Sequence, residues 1–219
     1  MRPIGPDLTA EQHDLAALLE RCADSDWELG TRCDGWTVAD VVLHLAQTNE
    51  AAVASITGHG RAAAAAAFAA STGGDTVDDR VDAMVVAERG LPATTVHERW
   101  RTSANDLDAA VADADPRARV PWVAGEMSVR TLAATRLAET WIHTDDVADA
   151  VGVQRSPTDR LWHVARLAWR MLPYAFERAG ARLSGPVAMR LRAPSHEEWI
   201  LQPDTDAVTT VVGDGTELC

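Results

Sequence analysis

The chain has 219 residues, 47% of them hydrophobic, which is enough to build a real core in one generous domain or two small ones. Its formal net charge of -13 and pI near 4.8 repel a phosphate backbone or an anionic bilayer, so nucleic acid and membrane surfaces are poor partners. Cys22, Cys33 and Cys219 form no C-x-x-C pair and are odd in number, which argues against a disulfide scaffold or a thiolate zinc knuckle and fits a reducing cytoplasm.

The N-terminus carries no apolar signal core, so the expected location is cytoplasmic. From Leu8 to about Cys22, leucine and alanine recur at helical spacing and predict a first amphipathic helix. Gly35 then supplies a turn, and Thr37 or Asp34 an N-cap, for a second helix from Thr37 to about Ile56 that carries His44. The alanine-rich run Ala62 to Ala67 reads as a helix extension or mobile arm, and Ser71 to Asp75 as a loop. Pro92 opens a third helical run to about Val111.

After a short extended piece at Val120 to Val123, Ser128 is placed to cap a fourth helix from Val129 to about Val151, stopped by Gly152. One side of that helix holds Leu132, Thr135, Glu139, Ile142, His143 and Asp146, the other Leu137, Trp141 and Ala148, so both faces need cover. Ser156, Pro157 and Asp159 form a capping-box start for a fifth helix reaching about Gly180. Beyond Gly185 and Pro186, short alternating segments at Val187 to Leu191, Trp199 to Leu201 and Val208 to Val212 read as strands. The expectation is a mainly α chain, with a helical bundle over residues 1–153 and a small α+β unit over 154–219. Its three strands end at Cys219 without a closing element, so the unit reads as incomplete.

Catalytic zinc takes three ligands from His and Asp/Glu and keeps an exchangeable position. Glu139 and His143, four residues apart on one helix face, can chelate one ion, and His44, mid-helix among Val41, Val42, Leu43 and Leu45, is a natural third ligand. Spacing alone does not choose, because Asp40/His44, Glu139/His143 and Asp159/His163 all place an acid four residues before a histidine. Capping already explains Asp159. Asp40 is either a helix-dipole partner or an acceptor behind His44, and Glu139/His143 reads equally well as a buried ion pair. His13, His59, His97 and His196 lie in polar or loop-like contexts and read as surface histidines.

Trp27, the run Thr31 to Asp40 (TRCDGWTVAD), the run His44 to Ala46, and Glu139 to Ala148 (ETWIHTDDVA) with Ala150 and Gly152 carry a resemblance. Together they resemble the two motifs of the mycothiol-dependent maleylpyruvate isomerase family, a branch of the DinB-like four-helix metalloproteins, over nearly the whole chain. Pro121 to Ser128, Thr158 to Leu161 and Gly213 to Cys219 look closer to an actinobacterial subgroup of metal-binding proteins. The resemblance implies a DinB-like bundle with zinc or another divalent ion at His44, Glu139 and His143. It further implies mycothiol or a similar thiol as cosubstrate, a small and possibly anionic electrophile as substrate, and isomerisation or S-transfer as the reaction; the chain itself is expected to be a monomer or homodimer. Members of that family continue past the position of Cys219 through a helix and a further strand.

Arg136 and Arg130, on the Glu139 helix, are candidates to pair with substrate carboxylates, although both also read as solvent-facing or Glu-paired arginines. A metal-water hydrolase using Asp146 or Asp40 as proton acceptor is a second reading, and a non-enzymatic metal- or ligand-binding module a third. Cys33 lies in a turn with no evident activating partner, so the nucleophile is expected to come from outside the chain.

Overall fold

The computed structural model describes residues 2–58, 76–123 and 125–219, and the chain divides into two compact units, Met1–Arg155 and Ser156–Cys219. The alanine run, the 71–75 loop and His59 lie outside the described residues.

In the first unit α1 spans Ile4–Leu19 and begins earlier than expected, because Pro6 falls in the first turn, where an amide proton has no intrahelical acceptor to lose. A 3-10 turn at Asp24–Glu28 buries Trp27. Helix α2, Val38–Thr57, starts at a reciprocal cap: Thr37 Oγ1 accepts from Asp40 N, and Asp40 Oδ2 accepts from Thr37 N at 2.9 Å. It ends at Gly58, whose φ of 73° is the left-handed conformation that glycine adopts without strain. Val41, Val42, Leu43 and Leu45 are buried along it, each contributing about 1.5–3 kcal/mol of transfer free energy.

A helix the sequence reading left unassigned, α3 at Val77–Glu88, is capped by Thr76 and Asp79, and Val85 is its one buried residue. Helix α4 follows at Ala93–Asp113 with Pro92 at its N-cap. The extended piece proves to be half of an antiparallel hairpin, β1 at Arg119–Trp122 and β2 at Gly125–Ser128. Gly125, with φ of 108°, takes the turn position a side chain would strain. Ser128 caps α5, Val129–Ala150, by accepting from Thr131 N. Helices α1, α2, α4 and α5 pack on one another, and Leu15, Val42, Leu45, Trp100 and Val147 share one core cluster. Leu132, Leu137, Val147 and Ala148 of α5 are buried, but Ile142 stays 40% exposed, so the side that carries Glu139 is only partly covered.

In the second unit α6 spans Leu161–Arg178 and does not start on the expected capping box. Asp159 instead accepts from Ser195 N at 3.1 Å and Ser195 Oγ at 2.8 Å, tying down the turn between two strands. Strands β3 (Val187–Arg192), β4 (Glu198–Leu201) and β5 (Thr209–Asp214) form a sheet ordered β4-β3-β5, antiparallel on one side of β3 and parallel on the other. The last residues do not trail from the sheet. Asp214 caps a short helix α7, Gly215–Leu218, and Gly215 sits so close to Trp199 that a Cβ would come within 2.8 Å of the indole. Cys219 is half-buried with Sγ 3.6 Å from Leu161 O, and burial pushes its thiol up to about 11. Among the described residues no helix is long and apolar enough to cross a membrane.

Candidate metal centre

Two helices supply the site. Helix α2 carries His44 on its buried face, and α5 presents Glu139 and His143 from successive turns. Glu139 Oε2 lies 3.3 Å from His44 Nε2 and 3.6 Å from His143 Nε2. The three donor atoms fall within 4.8 Å of one another, so these residues could hold a single ion. The imidazole rings meet nearly edge to face, with centroids 5.0 Å apart. The histidine side chains are 7% and 12% exposed while that of Glu139 is 41% exposed, so access to the centre is from the carboxylate side.

Behind His143, Asp146 Oδ2 lies 2.9 Å from Nδ1 and fixes the proton there, leaving Nε2 directed at Glu139. Arg32 donates from Nε to Asp146 Oδ1 at 3.0 Å and from Nη2 to Asp145 Oδ2 at 2.8 Å. Cys33, expected to lack partners, has Sγ 3.4 Å from Asp146 Oδ2 and 4.0 Å from His143 Nδ1, on the side of the ring away from Glu139. Trp36 forms a wall, its ring 5.2 Å from His44 and 6.5 Å from His143, and its indole N–H donates to Asp82 Oδ1 at 2.8 Å. The loop holding Arg32, Cys33 and Trp36 is closed by the bridge between Gly30 and Thr37.

Ionisation within the cluster is uneven. Burial holds His44 below the ordinary histidine value. Burial would also depress His143, but hydrogen bonds with Asp146, Cys33 and Glu139 outweigh it and push that imidazole up to about 10. Against the cost of burial, hydrogen bonds from His143 and His44 and the charge of Arg136 hold Glu139 well below the usual carboxylate range. Without a cation the site therefore favours His143 as imidazolium between two carboxylates, with His44 as neutral imidazole. Two imidazoles and one carboxylate are a borderline N/O set that fits zinc and leaves coordination positions over.

The remaining expected residues are placed differently. The carboxylate of Asp40 is taken up by the Thr37 cap and by Arg89 Nε at 3.0 Å, so the acceptor behind a histidine is Asp146 and not Asp40. Arg136 is buried and donates to Asn49, not to the solvent side of the site. Arg130 opens α5, about 13 Å along the axis from Glu139. His163 is buried against Trp162, and His97, expected at the surface, is half-buried between Trp27 and Trp100 with centroids 5.8 and 6.2 Å away. Arg32 and Cys33 carried no spacing signal, since their contacts to α5 join positions more than 110 residues apart.

The sequence profile described as "Mycothiol maleylpyruvate isomerase N-terminal domain" matches residues 8–148. Proteins from two strains of Mycobacterium tuberculosis, both described as uncharacterized, are each 32% identical to this chain over 218 residues, covering 99% of it and 83% of their own length. Among solved structures, a histidine-to-alanine mutant of the mycothiol-dependent maleylpyruvate isomerase superposes with a TM-score of 0.60 at 18% identity, over 98% of this chain and 86% of that one. The same isomerase in a second structure gives 0.59 at 16% identity over the same shares. At those identities the likeness concerns the fold.

Proposed function

The chain belongs to the mycothiol maleylpyruvate isomerase N-terminal domain family, and from that premise we propose that it is a divalent-metal enzyme working with an external thiol. In this reading zinc, or another divalent ion, is held by His44, Glu139 and His143. The cosubstrate is mycothiol or a similar low-molecular-weight thiol, and the substrate a small electrophile that is isomerised or conjugated. The observation that supports it most is the convergence of two imidazole nitrogens and one carboxylate oxygen within 4.8 Å, on a side open to solvent.

Each residue has a task that follows from its contacts. His44, buried and neutral, offers a lone pair at no cost of deprotonation. Asp146 keeps the remaining proton of His143 on Nδ1, so that Nε2 is the ligating atom. Trp36 shields the ring faces from water. A bound divalent ion would lower the pKa of a thiol and keep the thiolate beside the electrophile. With a cis-enone, the thiolate sulfur adds to the conjugated carbon while the π electrons move to the carbonyl oxygen. The former double bond rotates, and expulsion of the thiolate restores the alkene as trans. The thiol proton passes to solvent on entry and is recovered on release, so the isomerisation is balanced without an oxidant.

The test is turnover of cis-enone and other electrophile panels with and without thiol and with and without chelator. The reading expects both omissions to stop the reaction and Cys33→Ser to keep metal and activity. Chelator-sensitive turnover without thiol would replace it with a metal-water hydrolase. Loss of activity in Cys33→Ser, with metal content and folding intact, would move the nucleophile inside the chain.

A further inference from the structure

Arg136 differs from the partly buried arginines Arg155 and Arg99 of this acidic chain. Arg155 pairs with Glu11, and Arg99 with Glu50 and Glu88. Arg136, on α5 three residues before Glu139, is 2% exposed, and among the described residues its one side-chain hydrogen bond is from Nε to Asn49 Oδ1 at 3.2 Å. Among the described residues no carboxylate pairs with it. Its Nη2 and the Nδ2 of Asn49 are buried donors with no acceptor among those residues. A guanidinium keeps its charge in a protein, and a buried charge with no carboxylate hydrogen-bonded to it is costly to fold around. Simple packing does not explain it, because an apolar side chain of similar length would avoid that cost.

The three-residue cluster lies about one turn away along both helices: Arg136 precedes Glu139 by three residues on α5, and its partner Asn49 follows His44 by five on α2. Next to burial and their mutual hydrogen bonds, Arg136 contributes to keeping Glu139 ionised and His44 neutral. Two neutral imidazoles and one carboxylate leave a divalent ion with a net charge of about +1, which Arg136 raises to about +2 at low local dielectric. An entering anion then removes charge repulsion that a neutral ligand would leave in place.

We propose that Arg136, held by Asn49, is a positioning residue whose unpaired buried charge weakens binding of the cation at His44, Glu139 and His143 and in return favours a thiolate over a neutral ligand there. This rests on the metal-and-thiol function proposed above, and it predicts effects of opposite sign on two equilibria. A residue that merely supported the fold would weaken both.

Zn2+ affinity is measured by competition with a chromophoric chelator. Thiolate binding is measured with 2-mercaptoethanol, through the sulfur-to-metal charge-transfer absorption of Co2+-loaded protein. Arg136→Met should bind Zn2+ ~10-fold more tightly and 2-mercaptoethanol ~10-fold more weakly, while Arg136→Lys, which keeps the charge, stays close to the wild type in both. Should Arg136→Met fail to fold, Asn49→Asp sets a carboxylate against the guanidinium and should move both constants in the same two directions. If the two constants weaken together, or if thiol binding by the metal-loaded Asn49→Asp protein is unchanged, the role of Arg136 is overturned with the metal reading intact. Wild-type protein that binds no Zn2+ would overturn the metal reading itself, and this inference with it.

Discussion

His143 meets opposite demands at its two nitrogens. Nδ1 is held by Asp146 and Nε2 faces Glu139, so a cation must displace a proton that the hydrogen bonds with Asp146, Cys33 and Glu139 retain on this imidazole, pushing it up to about 10. The sign follows directly: a raised histidine value favours the proton-loaded, metal-free form below about 10, so metal affinity should rise with pH across the neutral range. Ordinary imidazole values place the onset of this competition near pH 6; the carboxylates around His143 move it upward. Zn2+ added near neutral pH in weak buffer should release about one proton per ion, read with an indicator dye, and no release would mean that His143 is already neutral. The same proton stabilises the metal-free fold fully below about pH 6.5, a contribution lost as pH rises through about 10. The residues Glu139 and His143 were legible as one turn of one helix, and His44 as a lone imidazole in an apolar run. Arg32, Cys33 and their contacts with Asp146 were not, because pairing across more than 110 residues leaves no periodic trace in a single chain.

Helix α2 anchors the site through its start. The cap formed by Thr37 and Asp40 fixes where the helix begins and so where His44, two turns in, points; Arg89 braces the same carboxylate. Thr37→Ala should destabilise the metal-free protein by about 1 kcal/mol, a fall in Tm of roughly 2–4 °C, with Thr37→Ser restoring most of it. An unchanged melt would show that Asp40 alone supports the turn. Capping was readable at Thr37 and at Ser128, where an N-cap residue precedes an apolar run. It misled at Ser156, where Asp159 answers Ser195 from the far side of the second unit. Helix α3 escaped notice for the opposite reason: it has a sound cap at Thr76, but with only Val85 buried it shows hardly any apolar stripe. The hairpin was half-visible, since Val120 to Val123 alternates poorly and its partner is four residues of mixed type.

At the scale of the molecule, the proposed ion would not be the source of the fold. The first unit has its own core, from Leu15 on α1 to Val147 on α5, so chelation should lower stability by the binding free energy alone, about 2.7 kcal/mol at a hundredfold excess of metal over Kd, and Tm with it. Far-UV helicity should stay near its loaded value at room temperature; collapse of the helical signal on chelation would make the ion structural. The net charge of -13 concentrates cations near the protein and repels small anions, which makes a local positive centre the means by which an anionic ligand is drawn in. All of this depends on one ion seated between α2 and α5. Its most direct test is the metal content, by elemental analysis, of Zn2+-reconstituted wild-type and His44→Ala protein matched for far-UV helicity. The account predicts about one ion per chain in the first and almost none in the second. Full occupancy in His44→Ala, or an empty wild type, would contradict it.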